Sequence, residues 1–228
     1  LAYTQLINKR YYSPDFLILA YTPKDDLFSK NTLNNIKLIS KKLINLDAVS
    51  SVISILNVPL LQSPPKPIVE LLEDVPTMQS ENIDLELVKE EFLSSPIYRN
   101  NLVSSDFKTT ALIINMKEDI KLNSLVNEQK ELKEKLKNNL LADSEKERLN
   151  ILNDQYNSLR KITIQTNELT INEIRKIISF YNEEEKIFLG GLSMISNDVI
   201  NFVKSDLKIF SVSIFIFLII ALSIIFRQ

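Results

Sequence analysis

An α+β chain that hands over to a single membrane-spanning helix at its C-terminal end is the fold class predicted by this 228-residue sequence. Three observations predict it. From Ile209 to Phe226 no side chain carries a charge. A helix of that length rises about 27 Å, close to the roughly 30 Å hydrocarbon core of a bilayer. Upstream, short apolar runs alternate with amphipathic stretches in the order β-α-β, then β-α-β. Between the third strand and its helix lies a long, highly charged stretch with regularly spaced leucines, which reads as an inserted helical hairpin.

The elements follow in order. Asp15–Tyr21 (DFLILAY) is a continuous apolar run bounded by Ser13-Pro14 and Pro23, so a buried strand is expected. Lys24-Asp25-Asp26 turns the chain. Ser29 then caps a helix reaching about Leu46, with Leu33, Ile36, Ile39 and Leu43 on one stripe. Val49–Ile55 is the second strand. Pro59, Pro64, Pro65, Pro67 and Pro76 follow within a short stretch, and proline removes ladder donors, so an irregular connection is expected. Asp84–Leu93 is a short helix, capped by Asn82 or Asp84 and stopped before Pro96. Ser104-Ser105-Asp106 turns into the third strand, Thr109–Met116.

Residues 121–167 form the expected hairpin. Leu125, Leu132, Leu136 and Leu140 fit one face of its first helix. After a break at Ala142-Asp143, Ser144 and Glu147 match a capping box, and Leu149, Leu152, Tyr156 and Leu159 line the second helix. The charges read as a solvated face, with partner docking as the sharper alternative. Leu169–Tyr181 is a separate amphipathic helix with Ile171, Ile174, Ile177 and Ile178 inward. Lys186–Leu189 is the fourth strand. Gly190-Gly191 turns the chain into a helix that starts near Ser193 or Ser196 and meets no breaker before the apolar run. With the inserts set aside, this order is the ferredoxin-like βαβ-βαβ pattern.

Composition excludes several chemistries. There is no cysteine and no histidine, which removes thiol nucleophiles, disulfides, Cys/His metal sites and imidazole catalysis. With only two glycines, no glycine-rich phosphate loop can be built. The net charge of −2 gives no electrostatic case for nucleic acid. No enzyme, cofactor or metal site is expected. The apolar run lies at the wrong end for a secretory signal.

Four stretches together resemble the resistance–nodulation–division (RND) exporters, and most closely the MmpL-like and hopanoid-type lipid-exporter branch. They are DFLILAYTPKDDLFS (Asp15–Ser29), LDAVSSVISILNVPLL (Leu46–Leu61), LVSSDFKTTALIINM (Leu102–Met116) and FLGGLSMISNDVINFVKSDLKIF (Phe188–Phe210). The resemblance covers nearly everything except the charged hairpin. It implies a porter domain over residues 1–205 and a second transmembrane helix over 206–228, both belonging to a longer proton-driven transporter. It implies a bacterial inner-membrane location, with residues 1 to about 205 periplasmic. The implied partners are the bilayer, a hydrophobic or lipid-like substrate, the remainder of the transporter chain and a second copy in a homo-oligomer. The family's proton-carrying acids lie in a later helix, and none falls in the apolar run here. Lys204, Lys208 and Arg227 flank the run on both sides, so charge alone does not orient it. The alternative function class is a membrane-anchored structural or regulatory protein, such as a polysaccharide chain-length determinant. Those proteins carry a proline-rich motif before their second span, and Ser193–Lys208 has no proline.

Few side chains qualify as functional candidates. Gly190 and Gly191 are the candidate hinge, at a strand-to-helix junction that calls for positive φ or a close backbone approach. Asp25-Asp26 is a carboxylate pair in a turn. Glu183-Glu184-Glu185 reads as a solvent-exposed helix end without calcium-loop spacing. Ser104 and Ser105 have no base beside them. Asp198 and Asp206 are expected to cap the long helix or to pair with Lys204 and Lys208. Phe16, Phe107, Phe188 and Phe202 are candidate contacts for apolar substrate, and the simpler reading of each is core. The substrate-binding residues are not identified by the sequence.

Overall fold

Side chains along β1 (Phe16–Thr22) alternate: Leu17, Leu19 and Tyr21 are buried, whereas Phe16 and Ile18 are exposed. The structure, a computed structural model, describes residues 15–63, 65, 75–181 and 185–226. The continuous apolar run predicts a strand buried on both faces. Among the described residues, helices cover only one face of the sheet, so period-two alternation decides each residue's exposure.

Among the described residues nine elements follow β1-α-β-α-β-α-α-β-α order. They are β1, α1 (Lys30–Ile44), β2 (Val49–Ile53), α2 (Leu85–Ser94), β3 (Thr110–Met116), α3 (Ile120–Lys137), α4 (Asp143–Ser179), β4 (Lys186–Gly190) and α5 (Leu192–Ile225). The four strands form one antiparallel sheet in the order β2-β3-β1-β4. Ile18 sits opposite Ile113 on one side and Gly190 on the other. The chain therefore leaves β1 through α1, skips a position, and returns at the edge as β2. It leaves β3 through α3 and α4 and returns beyond β1 as β4.

The core lies between the sheet and two helices. Leu17, Leu19, Leu112, Ile114 and Ile187 face Ile36, Ile39 and Leu43 of α1 and Ile171, Ile174 and Ile178 of α4. Ser29 caps α1 by accepting from the Thr32 amide, as its sequence position predicts. Asp84 caps α2, accepting from the Glu86 and Leu87 amides. The connection from β2 to α2 is tied down by Glu91. Its carboxylate is buried and accepts from the Leu61 amide at 2.7 Å and the Gln62 amide at 3.0 Å. Pro64 and Pro67 lie outside the described residues.

Two helix expectations are corrected. The second hairpin helix and the amphipathic helix after it are one continuous α4, because no glycine or proline lies between Asp143 and Ser179 to stop it. Its cap is Ala142, not Ser144. The Ala142 amide donates to the Glu145 carboxylate at 3.0 Å, so Ser144 and Glu147 fall inside the first turns instead of forming a box.

The hairpin has a small core of its own. Leu132, Leu149 and Leu152 are buried, with Leu125 and Leu141 packed against them. Buried Gln129 donates to the Leu152 carbonyl at 3.1 Å and the Asn153 side chain at 3.0 Å, which fixes the pairing of α3 on α4. Arg148 forks onto Glu128 at 2.8 and 3.0 Å. The expected leucine face breaks at its end. Helix α3 stops at Lys137, and Asn139 takes a positive φ of 56°. That turn leaves Leu140 exposed instead of in the seam.

Candidate functional site at the sheet-to-helix junction

The strand β4 passes into α5 with no linker: Gly190 is its last residue, Gly191 caps the helix, and Leu192 begins it. Gly191 has φ 144° and ψ 157°, a region that is essentially glycine-only. Space enforces the same choice. A Cβ there would lie 2.7 Å from Leu17 Cδ2 and 3.0 Å from the Phe16 carbonyl oxygen. Gly190 is different. A Cβ on it would meet only the Ile18 carbonyl oxygen, at 3.9 Å. Of the two glycines singled out in the sequence, one is required by the backbone and the other is not.

The first turns of α5 are held against the domain at three further points. Ser193 donates to the Asp15 carboxylate beside the start of β1. Arg175 of α4 places Nη2 at 2.8 Å from both carboxylate oxygens of Asp198. Asn201 donates to Glu168 of α4 at 3.4 Å. The expected pairing of Asp198 with Lys204 is therefore corrected: its partner comes from the facing helix. Among the described residues, no ion pair joins Asp206 to Lys204 or Lys208.

Beyond Asn201 the helix stands free. It is the one helix among the described residues long and apolar enough to cross a membrane, and its most apolar window is 0% buried. A core helix of a soluble domain would bury that stretch. Phe202 lies on this free part and is exposed, contrary to its reading as core.

The open face of the sheet is the second feature of the site. Phe16, Ile18 and Phe188 are exposed there, with Phe188 paired across from Ala20. These residues were expected in the core. They alternate onto the face that no described helix covers. Phe107, by contrast, is buried, with its ring edge-on to Phe28 at 4.9 Å and Lys89 Nζ 5.4 Å above it. It holds a positive φ of 55°, unusual for a bulky residue, at the end of the Ser104–Asp106 turn.

Two of the candidate turns are tied by carboxylate hydrogen bonds. Asp26 Oδ1 accepts from the Phe28 amide at 2.8 Å and shapes the turn before α1. Ser104 donates to Asp106 at 2.6 Å, and the Lys108 amide adds to this. These hydrogen bonds hold the Asp106 carboxyl below the ordinary carboxylate range. Glu183 and Glu184 lie outside the described residues. Glu185 is buried, not exposed, and accepts from the Lys24 amide at 2.8 Å. Burial pushes the nearby Tyr21 hydroxyl well above its ordinary range, and the charge of Glu185 adds to the effect. Among the described residues no group of three or more metal-ligating side chains is gathered.

Sequence reasoning missed Glu91 and Arg175, and it named Glu185 and Asp198 with other surroundings. Each has a partner distant in sequence. No family model matches the chain, and neither a curated protein nor a solved structure does.

Proposed function

We propose that this chain is the porter domain and following transmembrane helix of an RND-type, proton-driven exporter of hydrophobic or amphipathic, lipid-like molecules. The observation that carries the reading is the direct passage of β4 through Gly191 into an exposed apolar helix, on a domain whose sheet runs β2-β3-β1-β4. That strand order, with two helix-containing crossovers, supports the ferredoxin-like assignment of the module. In this reading the domain is periplasmic and α5 crosses the inner membrane toward the cytoplasm.

The role of the chain is mechanical and recognitive. Gly191 is the elbow through which motion of α5 reaches the sheet. Because Ser193, Asp198 and Asn201 tie α5 to β1 and α4, the elbow passes displacement on as a unit. The open sheet face with Phe16, Ile18 and Phe188 is the surface over which an apolar substrate passes. The run Ile209–Phe226 has no ionisable side chain, so proton coupling belongs to other helices of the transporter.

The test is efflux of a lipophilic fluorophore from cells expressing the gene from which this chain comes. Expected is export that collapses with a protonophore and falls severalfold in a Phe16→Ser/Phe188→Ser variant that still accumulates in the membrane. Export indifferent to the gene would sink the proposal, as would a deletion phenotype confined to polysaccharide length.

A further inference from the structure

The α3–α4 arm leaves the domain from the same end as the membrane helix. The chain positions require this. The Met116 amide at the end of β3 donates to the Asp15 carbonyl, and Asp15 also receives Ser193 at the start of α5. So α3, which begins at Ile120, and α5 depart from one end of the sheet. Helix α4 then runs antiparallel to α5: Arg175 meets Asp198, and Glu168 meets Asn201. Travelling from Glu168 back toward Asp143 is travelling toward the apolar run.

Lengths decide how far the arm reaches. From Glu168 to Asp143 α4 spans about 37 Å, whereas α5 needs only about 12 Å from Asn201 to reach Ile209. Beyond Asn201 the side chains of α5 are exposed, so the two helices diverge there, and a splay of about 70° sets the tip level with the start of the apolar run.

The tip has the chemistry of a bilayer interface. Leu140, on the turn, is 71% exposed and Leu136, in the last turn of α3, is 47% exposed, whereas Leu132, Leu149 and Leu152 are packed away. Beside them, Lys130, Lys133 and Lys137 share one groove of α3 with Tyr156 of α4 and with Glu134. Their spacing puts the three lysines on one helical stripe. Among the described residues none of them is in an ion pair, although Lys135, Lys146 and Arg148 of the same arm all are. Unpaired lysines beside exposed leucines suit anionic headgroups above an acyl boundary.

We infer that the hairpin arm rests on the bilayer spanned by α5, with Leu136 and Leu140 at the interface and the lysine stripe on anionic lipid headgroups. This rests on α5 being a membrane span and not on the exporter reading. The arm gives the domain a second point of support and so limits how far it can tilt about Gly191.

The chain has no cysteine, so single probes can be placed without altering other residues. Leu140→Cys, Ile214→Cys and Asp25→Cys variants of the full chain are labelled separately with an environment-sensitive fluorophore. They are reconstituted into phosphatidylcholine vesicles with and without phosphatidylglycerol, with nitroxide-bearing lipids as quenchers. Expected are a strongly quenched Ile214 probe, an unquenched Asp25 probe, and a Leu140 probe that is blue-shifted and quenched more when phosphatidylglycerol is present. Changing Lys130, Lys133 and Lys137 to Gln should lower the docked-to-free ratio of the arm by about fivefold per lysine. A quenched Ile214 probe with a Leu140 probe no more quenched than Asp25 would overturn the inference and leave the span intact. An unquenched Ile214 probe would remove the span, and the inference with it. Insensitivity of Leu140 quenching to both phosphatidylglycerol and the lysine changes would overturn the headgroup contact.

Discussion

Gly191 shows how a single residue is fixed by two independent demands. Its φ of 144° is costly for any side chain, and the space where a Cβ would go is already filled by Leu17 and the Phe16 carbonyl. Gly190 meets neither demand, since its φ is ordinary and its surroundings are open. A Gly191→Ala variant should therefore lose about 2–3 kcal/mol of domain stability, from backbone strain plus a contact that main-chain atoms cannot relieve. Gly190→Ala should lie within about 1 kcal/mol of the native chain. Urea unfolding of the full chain in detergent measures both, and equal losses would refute the distinction. The pair was visible in the sequence because glycine is so scarce here. Which of the two matters was not, because the atoms that crowd Gly191 come from β1, far away in the chain. The same holds for Glu91 and Glu185. Buried carboxylates that accept backbone amides look, in sequence, like any other charge on a helix or a turn.

At the level of elements, periodicity located each strand and helix core among the described residues but misjudged where helices join and end. The hairpin is held by a small leucine seam, the Gln129 hydrogen bonds and cross-helix ion pairs. Hydrogen bonds from Arg148 hold the Glu128 carboxyl below its ordinary range, and those from Lys135 do the same for Glu145. A carboxylate whose folded pKa is depressed stabilises the fold above its unfolded pKa. That contribution is lost as pH falls through the folded value. The arm should therefore loosen as pH drops below about 4.3, the ordinary glutamate value, and the turn at Asp106 should weaken with it, while the central strands, which rest on the apolar cluster, stay protected. Both pairs are solvent-exposed, so added salt should blunt the effect. Amide exchange followed against pH would show protection lost first in α3 and the N-terminal half of α4. Simultaneous loss in the sheet would argue against separable elements. The tip was misread for a physical reason: a leucine period continues on paper past Lys137, but Asn139 in the left-handed region turns Leu140 out of the helix.

For the whole molecule, the decisive feature is that one continuous helix changes its surroundings along its length. Its first turns are bonded to β1 and α4, and its remainder is an exposed apolar rod. A charge placed in the rod should be felt in membrane partitioning and not in the fold of the domain. Leu218→Arg lies well inside the run and should cost about 2.5–3.5 kcal/mol of insertion. The expected outcome is a large shift of the protein from the membrane pellet to the carbonate-extractable fraction, with the circular dichroism of the domain retained. Full retention in the membrane would contradict the span. The arm and this helix leave the sheet from the same end. The opposite end carries the turns around Asp26 and Ser104.

The sequence by itself determined the element types, their order, the apolar helix and the exclusion of Cys/His chemistry. These follow from local properties, namely hydrophobic period, breaker residues and composition. Only the tertiary structure decided which sheet face is open, which glycine is obligatory, that Asp198 belongs to Arg175, and that the charged arm leaves the sheet from the same end as the apolar helix. Each of those depends on strand order and on contacts between distant segments. A one-dimensional pattern does not encode which of two equally apolar strand faces the helices will cover.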